Sequence, residues 1–199
     1  MMSDYKAAII SFFLPLVSAL IGLFMPVYDE LFLKITIGLY FISITLYIGM
    51  LIGYKKKRKK NAPRIINALN LLLFCLFFTF PLMKVWPENV FIPILLGIVF
   101  FICVWLATID QRSKTPLVLS DNQDKKGIWT YVFYAIPVIV IFVGGGGNFI
   151  VVREMHLTFG EGLMSVYGSV LLYILGCWLG FFMSSLSYKG LVLNGRLVK

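Results

Sequence analysis

The six longest apolar runs of this 199-residue chain contain no Asp, Glu, Lys, Arg or His. A charge at the bilayer centre costs at least ~2.5 kcal/mol, and where one is retained it marks an ion path or a catalytic group. The runs therefore lack the usual signatures of ion-coupled carriers and of intramembrane hydrolases. Charge is scarce overall, at 14% of residues, against roughly 25% in soluble domains. The three cysteines, Cys75, Cys103 and Cys177, lie inside apolar runs without CxxC or metal-ligand spacing. An odd count argues against a disulfide framework, and such thiols act as small apolar groups.

Apolar residues make up 60% of the chain, and they come in unbroken runs rather than in alternation. The runs cover residues 7–25, 35–54, 65–83, 90–109, 128–143 and 162–186. About 20 helical residues cross a hydrocarbon core of ~30 Å, and five runs reach that length. The fold class expected is all-α: a polytopic bundle of six transmembrane helices forming one membrane domain. The first run lacks a small-x-small cleavage site, so it reads as a retained span.

The net charge of +9 falls in the gaps between runs, which points to anionic lipid headgroups rather than to nucleic acid. With the N-terminus in the cytoplasm, fifteen of the 18 basic residues fall inside, and only Lys34, Lys84 and Arg153 fall outside. The positive-inside rule then sets both ends on the cytoplasmic side of a cell membrane. The run Lys55, Lys56, Lys57, Arg58, Lys59 and Lys60 is the strongest such anchor and a lipid-facing basic cluster.

Lipid offers no hydrophobic reward for helix association, so small residues must let backbones approach. Gly49 and Gly53 on the second run are predicted packing positions, as are Gly176, Gly180 and Ser184 on the sixth. Thr36, Tyr40, Ser43 and Tyr47 follow helical spacing on the second run. They form a hydroxyl stripe that either lines a solute cavity or bonds to neighbouring helices. Asn67 and Asn70 start the third run as caps or cross-helix partners.

Residues 144–161 read as the longest external loop. Gly144, Gly145, Gly146 and Gly147 disfavour helix by roughly 1 kcal/mol each and let the chain turn at the membrane surface. With Asn148, Arg153, Glu154 and His156 they form the candidate recognition loop. Glu154 and His156 alone do not make a metal site, and the glycines lack the Lys-Ser/Thr of a phosphate loop. No catalytic or metal-binding residue and no cofactor is assigned, and the chain is read as not an enzyme. The function expected is a non-enzymatic membrane protein acting through protein or lipid contacts, such as an accessory subunit or a toxin-immunity protein of a bacterial membrane. Size, helix number and end orientation are also similar to those of small substrate-binding components of vitamin transporters and of half-size exporter permeases. That architectural likeness keeps a solute-binding subunit as the alternative.

Overall fold

A computed structural model describes residues 13–55, 62–113, 116–118 and 128–189. Among these the chain is all-helical, with seven helices and no strand. In order they are α1 (Leu14–Phe24), α2 (Glu30–Lys55), α3 (Ala62–Phe77), α4 (Phe80–Met83), α5 (Phe91–Asp110), α6 (Ile128–Val143) and α7 (Phe149–Tyr188).

Three helices, α2, α5 and α7, are long and apolar enough to cross a membrane, fewer than the six spans expected. Helices α1, α3 and α6 are shorter apolar helices. Sixteen residues rise about 24 Å, less than a ~30 Å core, so α3 and α6, with 16 residues each, fall short. Residues 7–12 of the first expected run lie outside the described residues.

The third expected run, 65–83, is split by its proline. Pro81 has no N–H to offer the Phe77 carbonyl one turn earlier, and its ring crowds that carbonyl. Helix α3 stops at Phe77, the Thr79 hydroxyl donates to the Leu76 carbonyl (2.6 Å), and α4 restarts at Phe80. The same physics operates in α6, where Pro137 leaves the Phe133 carbonyl without its helical partner. There the Trp178 indole of α7 donates to it across the interface at 2.8 Å. Trp178 also stacks on Phe133, with ring centroids 5.4 Å apart.

Helix ends receive similar treatment. Tyr167 donates to the last-turn carbonyl of Val143 (2.6 Å). Asp29 caps α2 by accepting from the Leu31 and Phe32 N–H groups, Asn89 caps α5, and Asn148 caps α7. In lipid an unpaired backbone group costs several kcal/mol, so these side chains act as substitutes for missing helical bonds.

A phenylalanine cluster packs where the end of α1 meets the start of α2 and α4. Phe77 and Phe80 meet edge-on at 5.2 Å, and Phe32 meets Phe80 at 5.1 Å, beside Ala19, Leu23 and Met83. Gly22 of α1 packs here: an added Cβ would lie 2.6 Å from the Phe77 carbonyl oxygen that Pro81 leaves without its helical donor. On α7, a Cβ at Gly176 would meet the Cys75 carbonyl and the Thr79 and Phe78 side chains at 3.0–3.1 Å, and one at Gly180 the Phe100 ring at 2.8 Å. Gly49 differs from its expected packing role, since nothing described lies within 4 Å of its missing Cβ. Gly53 lies in α2, and Ser184 lines a groove between α3, α5 and α7.

The indole bond can be isolated by a mutant cycle. Trp178→Phe is expected to destabilise the chain by about 1 kcal/mol, and by less once Pro137→Ala supplies an N–H to the Phe133 carbonyl. Denaturation in detergent measures both costs. Equal costs in the two backgrounds would show that the indole does not serve that carbonyl.

Candidate functional site

Residues 25–29 and 84–90 connect helices at one end of the bundle, and Lys84 joins them. Its ammonium donates to the Leu23 carbonyl (2.8 Å) and the Val27 carbonyl (2.8 Å), closing the end of α1. Only 6% of Lys84 is exposed. Burial pushes its amine down from 10.5 to about 8, and the nearby Asp29 carboxylate partly opposes that shift. Two carbonyls use two of its three donors.

Around this lysine lies an open cleft of about 480 Å³, lined by Tyr28, Asp29, Lys84, Pro87, Ser165 and Val166 among others. Three elements supply its walls: the α1–α2 connection, the α4–α5 connection and the part of α7 after its break. That break is Gly160, whose φ of 75° interrupts the helix. A cleft with one cation, one carboxylate and apolar walls suits reversible binding of a small polar molecule.

The expected recognition loop is built differently from a loop. Gly144, Gly145, Gly146 and Gly147 form the turn from α6, and the last three take positive φ values of 101°, 59° and 76°. Gly145 is tightest, since a Cβ there would sit 2.6 Å from the Val152 side chain. Residues 149–159 are helical rather than a loop, a correction to the reading of 144–161. The Asn148 carboxamide accepts from the Ile150 N–H (3.0 Å), and no glycine or proline intervenes before Gly160. Arg153, Glu154 and His156 stand exposed on this arm. Among the described residues no group of three or more His, Cys, Asp or Glu side chains is placed to hold a metal ion.

No family model, curated protein or solved structure matches the chain.

The hydroxyl stripe of α2 faces α3. Thr36 donates to the Phe32 carbonyl of its own helix, and Ser43 donates to the Asn70 side chain of α3 at 3.3 Å. Tyr40 stacks on Phe77 with ring centroids 5.7 Å apart, and its hydroxyl has no partner among the described residues. Tyr47 lies half-buried one turn after Ser43. Packing against α3 occupies the face on which a solute cavity was the other expectation.

At the opposite end, Asp110 accepts from the Leu117 N–H (2.8 Å) and the Val118 N–H (3.4 Å). Gln111 donates to the Val118 carbonyl, and Arg112 donates to the Tyr188 hydroxyl at 2.9 Å. Lys55 ends α2, whereas Lys56, Lys57, Arg58, Lys59 and Lys60 lie outside the described residues. Sequence reasoning assigned Lys84 no role. The signal was available: a lysine directly after an apolar stretch (Phe-Pro-Leu-Met-Lys) with no polar neighbour.

Proposed function

We propose that this chain is a six-span, non-enzymatic protein of a bacterial plasma membrane, with its N- and C-termini in the cytoplasm. It acts through non-covalent contacts made at the end that carries Lys84 and the arm 149–159, as an accessory subunit or an immunity protein does. The distribution of basic residues supports the orientation. The relative helix directions agree with successive crossings. Residue 96 meets 173 and 100 meets 180, so α5 and α7 run parallel, while 143 meets 167 and 133 meets 178, so α6 runs antiparallel to α7.

The observation that carries the reading is the arm. Ile150 is 68% exposed and Leu157 69% exposed, beside the exposed charges of Arg153, Glu154 and His156. Large apolar side chains interleaved with charges, beyond a helix break, fit a contact surface better than a lipid-buried span. A photo-reactive residue at Leu157 is expected to yield one discrete protein adduct in native membranes. The same probe at Ile98, in the middle of α5, is expected to yield lipid adducts. Lipid adducts alone at both positions would overturn the partner reading.

A second reading, a solute-binding transport subunit, is favoured by the Lys84 cleft. Its volume lies within the ~300–1,000 Å³ range of small-molecule sites. A small molecule retained on purification and lost in Lys84→Met would favour it over the first.

A further inference from the structure

At the Arg112 end of the bundle an apolar groove of about 290 Å³ opens between α3, α5 and α7. Its walls include Ile65, Ala68 and Leu72 of α3, Val104 of α5, and Met183 and Tyr188 of α7. Thr108, also on the wall, turns its hydroxyl to the Trp105 carbonyl of its own helix (2.7 Å), so it adds little polarity. The groove lies along three helices, so a slender apolar chain fits it better than a compact solute.

One end of this groove is basic. Arg112 donates to the Tyr188 hydroxyl, and its guanidinium carbon sits 5.6 Å from the Tyr188 ring centroid. That bond engages one of the five guanidinium N–H donors. Arg64 directly precedes the groove residue Ile65, and Lys189 directly follows Tyr188. An apolar slot ending in cations at a helix-bundle rim complements a molecule with a hydrocarbon tail and an anionic head.

We infer that this groove is a specific site for one anionic phospholipid. An acyl chain lies along α3, α5 and α7, and the phosphate meets Arg112, with Arg64 and Lys189 adding positive potential. The proposal deepens the lipid-contact part of the membrane reading and requires that this end face a leaflet holding anionic lipid. Arg112 is the residue that connects the two halves of the site, since its side chain is bonded to Tyr188, which lines the groove.

The test is native mass spectrometry of the full chain in detergent, titrated with dioleoyl phosphatidylglycerol or dioleoyl phosphatidylcholine. One phosphatidylglycerol is expected to bind in preference to phosphatidylcholine. Arg112→Gln is expected to weaken it about fivefold, the equivalent of the ~1 kcal/mol that one basic residue contributes near an anionic surface. Arg112→Lys, which keeps the charge but not the planar fork, is expected to retain most of the affinity. Glycerol 3-phosphate, a head without a tail, is expected not to compete. Equal binding of the two lipids would overturn the proposal. So would an equal loss in Arg112→Lys and Arg112→Gln, which would mark a merely structural contact with Tyr188, and so would effective competition by glycerol 3-phosphate. These assays work in either orientation of the chain, so their failure leaves the six-span reading to be judged by its own experiment.

Discussion

Lys84→Met is expected to lower the stability of the detergent-solubilised chain by about 2 kcal/mol. The change removes the donor shared by the Leu23 and Val27 carbonyls, and a buried acceptor left unpaired costs roughly 1–3 kcal/mol. Two effects reduce the loss. Methionine carries no charge to desolvate, and the cleft beside the site admits water to the bare carbonyls. The lost bonds still win, because both carbonyls belong to one chain turn that has no second donor among the described residues.

The pH dependence gives the same lysine an independent signature. Its amine is pushed down from 10.5 to about 8 in the fold, so the folded chain binds that proton less tightly than the unfolded chain does. Between about pH 8 and 10.5 the unfolded state carries the extra proton, and stability rises with pH across that window. Below it, the full cost of burying the charge is present. Melting midpoints should therefore climb from pH 8 towards 10 in the native chain and stay flat in Lys84→Met. Parallel curves would show that Lys84 is not buried as described.

Gly22→Ala should destabilise by about 1–3 kcal/mol, the range for overpacking a tight contact. Alanine gains up to ~1 kcal/mol of helix propensity over glycine, so the sign depends on the neighbour. Here that neighbour is the Phe77 backbone carbonyl, 2.6 Å from the new Cβ, with the Phe80 Cβ at 3.3 Å. A backbone between two helices cannot turn aside as a long side chain can. Gly49→Ala and Gly38→Ala are the controls, since nothing described lies within 4 Å of either site. Both should be neutral or slightly stabilising by thermal melting. If Gly22→Ala matches them, α1 does not pack on α3 at this point.

Much of the helical pattern is readable from composition, because an uncharged apolar run has few alternatives to helix in lipid. Helix α6 occupies residues 128–143, the extent of the fifth run, since four glycines end both the apolar run and the helix. Pro81 is harder to read. It sits near the end of a run, where it looks like a terminus, yet it splits the helix four residues earlier at Phe77. In sequence the arm 149–159 reads as part of a loop because it follows four glycines, but a helix can restart after them. Asn148 and the unbroken stretch to Gly160 are the local cues that favour it.

Small-residue spacing proved ambiguous for a similar reason. The pattern at Gly176 and Gly180 and that at Gly49 and Gly53 look alike in sequence, but close packing depends on which helix arrives. Helices α3 and α5 meet the first pair, while Gly49 faces open space among the described residues. The Lys84 cleft lies beyond sequence reasoning altogether. Its walls come from positions 26–29, 84–87 and 162–166, brought together only once α1, α4 and α7 pack.

The proposed function places the two ends of the bundle on opposite sides of a membrane. His156→Cys and Arg112→Cys, each made in a chain whose three native cysteines are replaced by alanine, test it with an impermeant maleimide on intact cells. Residue 156 should label at once, and residue 112 only after the membrane is permeabilised. Labelling of both from outside, or of residue 112 alone, would contradict the account.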